Sequence, residues 1–206
     1  MQEQDIYGKY GVYLPKILED LSQRIQEAND RVKQETGQKL FEHFNARVKQ
    51  AASMEEKCQR KNLPRVPESA LKEIRDAIGI RIVCGFIEDI YQTIEVLRQL
   101  EGCEIVLEKD YIRAAKPNGY RSYHLILEVE TPYEDCHGQN PGRYFVEIQL
   151  RTIAMDSWAS LEHQMKYKKN IQNPERIVRE LKRCADELAS CDVTMQTIRN
   201  LIRESE

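Results

Sequence analysis

Apolar residues recur at positions 14, 17, 18, 21, 25, 28 and 32. This is the three-and-four spacing of one helix face, and it predicts an amphipathic helix over about residues 12–35 that ends near Gly37. Lys39 to Lys49 is aromatic and β-branched at its centre and predicts a first strand, Ala51 to Lys61 reads as a short basic helix, and Pro64 and Pro67 break the chain after it. From Gly79 to Gly85 the period falls to two, with Ile80, Ile82 and Cys84 on one face and Arg81 and Val83 on the other. Ile87, Ile90, Tyr91, Ile94 and Leu97 predict a helix to about Leu100, and Cys103 to Leu107 a strand. A further strand sets Leu125, Leu127 and Val129 opposite His124, Ile126 and Glu128.

The strand from Arg143 to Arg151 is the most regular: Tyr144, Val146, Ile148 and Leu150 point one way, and Phe145, Glu147, Gln149 and Arg151 the other. One face packs and the other presents polar chemistry. Ala154, Trp158, Leu161 and Met165 continue as a helix. Asn173-Pro174-Glu175 then supplies a cap and a first-turn proline for a last helix over about 174–203. Its apolar positions 177, 181, 184, 188, 191, 195, 198 and 202 alternate steps of four and three, a seam that packs either on its own domain or on another subunit. Strands and helices mixed in this order, with short connections near 113–120 and 131–142, predict an α+β domain spanning residues 1–206 around a mixed, mostly antiparallel sheet.

Composition narrows the class. With 41% hydrophobic and 32% charged residues the chain suits one well-buried core, and no apolar run approaches the length that spans a bilayer. The first residues lack a signal peptide's basic and apolar regions, so a cytoplasmic protein is expected. A net charge of -3 argues against nonspecific coating of DNA or RNA, yet six Lys or Arg face two Glu between His43 and Val66. The six cysteines include no Cys-x-x-Cys pair and read as free thiols; Cys184 and Cys191 on one helix stand about 10 Å apart.

The chemistry concentrates in three segments. Lys109-Asp110-Tyr111-Ile112 leads into Lys116-Pro117-Asn118-Gly119-Tyr120-Arg121-Ser122-Tyr123-His124, a run of cations and aromatics bent at Pro-Asn-Gly. Arg75-Asp76-Ala77-Ile78-Gly79-Ile80-Arg81 precedes it and Val146-Glu147-Ile148-Gln149-Leu150-Arg151-Thr152 follows. Two carboxylates, fixed cations and aromatic faces are the parts of a metal-dependent transfer of a phosphoryl-type group. Singly, each has a plainer reading: Asp76 as a turn residue, Glu147 as a solvated strand residue, Tyr120 and His124 as core side chains, the basic helix as a solvated face. Asp76 and Glu147 converge only if their strands are neighbours. Neither Gly-x-x-x-x-Gly-Lys-Ser/Thr nor Gly-x-Gly-x-x-Gly is present.

The segments RDAIGIRIVC, KDYIRAAKPNGYRSYHLIL and VEIQLRTIAMDSWASLEHQMKYK resemble, in order and over about residues 40–170, the synthetase domain of the RelA/SpoT group; the length resembles its single-domain members, the small alarmone synthetases. The resemblance implies a nucleotidyltransferase-like sheet and transfer of pyrophosphate from ATP to the 3'-hydroxyl of GDP or GTP, with GMP a further candidate acceptor. It implies that Asp76 and Glu147 hold Mg²⁺, with Glu147 also taking the hydroxyl proton. Arg47 and Arg81 would sandwich adenine, and Lys49, Ser53, Lys57 and Arg60 would face the ATP phosphates. Tyr120 would stack on guanine, with Lys109, Lys116, Arg121, His124 and Gln149 near the acceptor or the transferred group.

By resemblance a homo-oligomer, a tetramer, is expected, and single-stranded RNA is a candidate regulator. One subgroup carries a Phe and a Gly ahead of the Arg-Val-Lys segment, associated with a regulatory alarmone site; His43-Phe44-Asn45-Ala46 stands there in this chain, so product activation does not carry over. No hydrolase-type His-Asp motif accompanies these segments, so synthesis without hydrolysis is expected. Two rival readings are a catalytically silent nucleotide- or RNA-binding module, and a transferase that moves AMP in place of pyrophosphate.

Overall fold

Five strands form one sheet in the order β1-β2-β5-β4-β3, and its apolar face is covered by the N-terminal helix and the helix after β2. A computed structural model describes residues 5–166 and 173–205; the end of the expected core, 167–170, lies outside the described residues. The elements are α1 (Leu14–Thr36), β1 (His43–Val48), α2 (Ala51–Arg60), β2 (Ile78–Cys84), α3 (Ile87–Arg98), β3 (Cys103–Asp110), β4 (Tyr123–Thr131), β5 (Gly142–Thr152), α4 (Ile153–Lys166) and α5 (Pro174–Glu204). Three pairings are antiparallel, and only β2 and β5 run parallel. The α+β, mostly antiparallel expectation therefore holds.

The first helix forms because Leu14, Ile17, Leu21, Ile25 and Ala28 make one buried stripe. It stops where Gly37 takes φ of 74° and returns its N–H to the Lys33 carbonyl at 2.9 Å. Below it Asn29 accepts the Leu40 N–H at 2.8 Å, and Leu40 and Phe41 are buried. This is why the first strand begins at His43 and not at Lys39: the residues before it are tied to α1. The third strand departs from the sequence pattern in the opposite sense. It runs on past Leu107 to Asp110, with a register shift between Ile105 and Leu107, so Lys109 is a strand residue opposite His124 and not part of a loop.

Ile78, Ile80 and Ile82 on β2 stand beside Val146, Ile148 and Leu150 on β5, all with essentially no exposure. These six side chains are the centre of the core. Burying each contributes roughly 1.5–3 kcal/mol before the ordering cost is counted. On the other side of the central strands Lys72 of the turn Ser69–Glu73 and Arg75 just after it lie over the Phe145 ring. The rest of that polar face stays open.

The last helix does not present one continuous seam to its own domain. Trp158 of α4 donates its indole N–H to the Leu181 carbonyl at 2.9 Å, and Ala185 is buried beside them. Beyond that point α5 holds the domain through polar contacts: Thr152 donates to Asp192 at 2.7 Å, and Arg199 and Arg203 reach Glu88, the latter at 2.9 Å. Met195, Ile198 and Ile202, 49%, 47% and 55% exposed, turn away. Asn173 precedes α5 in a left-handed conformation without a side-chain cap bond, so only the proline half of the expected start signal acts as expected.

The β4–β5 connection is organised by Asp135. This buried carboxylate accepts from Lys72 at 2.7 Å and from the N–H groups of His137, Gln139 and Arg143 at 2.9, 3.1 and 3.3 Å. Burial alone would raise its pKa, but these donors outweigh it and hold it at about 2. A folded-state pKa below the unfolded one stabilises the fold above the unfolded value, and the contribution is lost as pH falls through about 2. Asp135→Asn is expected to lose about 2 kcal/mol at neutral pH, with a shallower acid limb between about pH 4 and 2, in urea unfolding across pH.

Candidate active site

The polar face of the sheet collects the chemistry in rows set by register. Asn45, Arg81, Gln149, His124 and Lys109 form one row across all five strands, and Arg47, Gly79, Glu147 and Ile126 form the next. Both rows depend on β2 lying beside β5, the adjacency that the sequence left open. The resulting cleft, about 460 Å³, is lined by Arg47, Lys49, Asp76, Arg81, Glu147 and Gln149 among others. Gly79 forms its floor: a Cβ there would meet nothing within 4 Å.

At one end Lys49 and Lys57 both bond the same oxygen of Asp76, Oδ2, while Oδ1 is buried without a hydrogen-bond partner. A buried carboxylate oxygen left open beside two cations is suited to accept a further positive ligand. Burial pushes the Lys49 ammonium below its ordinary pKa, with Asp76 pulling the other way and Lys57 adding to the depression. Tyr7, which the sequence did not single out, donates its hydroxyl to the Lys49 carbonyl at 2.8 Å and fixes the chain at the start of α2. Along α2, positions 53, 57 and 60 share a face, but only Lys57 reaches Asp76; Ser53 and Arg60 are exposed.

At the centre Gln149 donates to Glu147 at 2.9 Å, and His124 Nδ1 lies 3.6 Å from the other Glu147 oxygen. Burial of Glu147 favours its neutral form, but His124, Gln149 and the Lys57 charge overcome that and hold its pKa at about 2. Glu147 is therefore a carboxylate at any physiological pH. Arg47 and Arg81 flank Gly79 as diagonal neighbours, about 7–8 Å apart by strand geometry. That leaves a slot between two guanidinium groups over a residue with no side chain.

At the far end Tyr120 joins the groups. Its hydroxyl lies 2.8 Å from His124 Nε2 and accepts from Arg151 at 2.9 Å, and Lys116 sits over both the Tyr111 and Tyr120 rings at 4.5 and 4.9 Å. The Pro-Asn-Gly bend is held from behind by α5. Gly119 has φ of 90°, and a Cβ there would come within 2.5 Å of the Ala185 Cβ, so glycine is required twice over. Arg121 follows the bend outward to Asp186 of α5 at 3.6 Å and does not line the cleft. Lys109 stands exposed at the end of its row. Arg151 and Asp156 complete the network; alternation in β5 had put Arg151 on the polar face, but nothing in the sequence pattern marked Asp156.

A sequence profile described as "Region found in RelA / SpoT proteins" matches residues 46–172. The chain belongs to the RelA/SpoT family. It is 44% identical over 151 residues to the Bacillus subtilis GTP pyrophosphokinase YwaC, covering 73% of this chain and 70% of that one. It is 33% identical over 191 residues to YjbM of the same organism, covering 93% and 87%. The B. subtilis small alarmone synthetase 1 bound to its product pppGpp superposes with a TM-score of 0.80 at 32% identity, covering 93% of this chain and 95% of that one. The fold and family thus agree with those of single-domain synthetases.

If the cleft takes a nucleotide over Gly79, then Gly79→Leu should fill it while leaving the core untouched. The expected outcome is an unchanged thermal midpoint with Kd for a non-hydrolysable ATP analogue raised more than about tenfold, measured by calorimetry.

Proposed function

We propose that this family member is a GTP pyrophosphokinase that moves the β,γ-pyrophosphate of ATP to the 3'-hydroxyl of GDP or GTP, forming (p)ppGpp and releasing AMP. The observation that carries the reading is Asp76 and Glu147 on one cleft, with two lysines on Asp76 and one of its oxygens open. Named pyrophosphokinase relatives and a pppGpp-bound neighbour support it.

Mg²⁺ fits this donor set. Carboxylates are hard oxygen ligands, and one or two of them plus phosphate oxygens are what the ion ordinarily takes. Asp76 Oδ1 and Glu147 would hold the ion, and when bound it supplies positive charge against the polyphosphate. Lys49 and Lys57, already gathered on Asp76, turn to the ATP phosphates. Arg47 and Arg81 close on adenine, because guanidinium planes stack on flat bases. Guanine replaces the Lys116 ammonium on the Tyr120 ring.

The 3'-oxygen then attacks the β-phosphorus, the bond from that phosphorus to the α,β-bridging oxygen breaks, and AMP departs with the electron pair. Glu147 orients the hydroxyl and takes its proton. In a loose transition state the nucleophile carries little charge, so placing the hydroxyl matters more than the strength of the base. Positioning and charge cancellation do most of the work.

Purified protein with Mg²⁺, ATP and GDP should yield AMP and a guanosine bearing a 3'-diphosphate together. Release of pyrophosphate with transfer of AMP would instead identify the rival transferase, and neither product the silent binding module. Glu147→Gln should lower kcat by about 10²–10⁴-fold while ATP still binds. The exposed Met195, Ile198 and Ile202 stripe supports a homo-oligomer, a tetramer by family resemblance. Ile198→Glu with Ile202→Glu should shift the mass in light scattering toward the monomer.

A further inference from the structure

Three arginines, Arg47, Arg81 and Arg151, crowd the polar face, and one carboxylate, Asp156, pairs with two of them. Asp156, in the first turn of α4, accepts from Arg151 at 2.8 Å through Oδ1, and the same oxygen lies 3.4 Å from an Arg81 nitrogen. Arg151 is buried, and its other nitrogen donates to Gln149 on the cleft at 3.0 Å and to the Tyr120 hydroxyl at 2.9 Å, with the guanidinium 5.3 Å from the Tyr120 ring centre. The Nε atoms of both Arg81 and Arg151 have no partner. Among the described residues Asp156 is the only acidic partner of either guanidinium, so its Oδ1 ties the two to one point.

We propose that Asp156 is a positioning residue common to both nucleotide pockets, holding Arg81 against the donor base and, through Arg151, Tyr120 against the acceptor base. The roles of Arg81 and Tyr120 are those of the proposed function, on which this inference rests. Two like charges lie side by side here only because an anion stands between them; without it a buried Arg151 loses its counter-charge and the Tyr120 hydroxyl loses a fixed donor. Asp156 acts through Arg81 and Arg151, so its loss is felt in binding geometry on both sides.

A bland reading is available: an acidic residue in a first helical turn simply complements the helix end. That reading predicts a change in stability and no change in either KM. The experiment is steady-state turnover of the full chain in excess Mg²⁺, varying ATP at saturating GDP and GDP at saturating ATP, followed by AMP release. Asp156→Asn should raise both KM values about fivefold or more, with kcat changed by less than about threefold, and Asp156→Glu should recover most of both. A shift in one KM only, in neither, or in kcat alone overturns the proposal while leaving the reaction assigned.

If Asp156→Asn does not fold, Arg81→Met and Tyr120→Phe serve in its place. Coupling through Asp156 makes their effects on the ATP KM non-additive, and additivity overturns the proposal. Wild-type protein that releases no AMP overturns the proposed function, and this inference with it.

Discussion

The parallel pairing of β2 with β5 is the constraint on which the site depends. It sets Gly79 beside Glu147 and Arg81 beside Gln149, and it does so because Ile78, Ile80 and Ile82 must be buried beside Val146, Ile148 and Leu150 on the opposite face. Side chains alternate with a period of two, so the register that buries the isoleucines is the register that opens the polar row. A slip of one residue would put Arg81 and Glu147 into the core, at a cost no local rearrangement recovers. The catalytic face is thus specified by the hydrophobic one. Parallel strands also need a long crossover, and the chain spends α3, β3 and β4 on it, the last two strands carrying Lys109 and His124 to the same row.

Within that frame the cleft is a problem of charge balance. Asp76 is compensated by two lysines and Glu147 accepts from Gln149 beside His124, whereas Arg47, exposed, has no acidic partner among the described residues. Cations thus outnumber anions over Gly79. A polyphosphate entering the cleft would find charge already in place, at no cost of gathering it. The open Asp76 oxygen is the complementary device: a polar group left unsatisfied, at some cost to the fold, where a ligand can satisfy it.

Much of this was legible in the chain. The two-residue period in Arg143–Arg151 assigned Glu147 and Gln149 to one face, and Pro-Asn-Gly located the bend before Tyr120. What the sequence withheld was adjacency. Alternation says which way Asp76 and Glu147 lie on their own segments, not that 71 residues later the chain returns to the same neighbour. Element ends were lost for a related reason. The first strand is cut short by Asn29 reaching from α1, and β3 is extended past its apolar residues by pairing with β4, and both are tertiary events with no local signal. Arg121 reads like its neighbours in a cationic loop, and only the position of α5 turns it outward to Asp186.

The same helix shows why a periodic seam cannot be interpreted alone. An unbroken run of threes and fours suggests one uniform partner, yet α5 changes character along its length. Near Ala185 it is a packing element pressed so closely on Gly119 that no side chain fits between them. Past Asp192 the contact with the domain is made by Gln196, Arg199 and Arg203, which meet Glu88 and Asp89 at the start of α3, while the apolar residues rotate outward. A helix 31 residues long built on a 3.6-residue turn cannot keep a 3.5-residue seam against one straight surface. The chain uses that drift. The first half of α5 braces the Tyr120 bend, and the second half attaches by ion pairs, leaving its apolar stripe free to face something else.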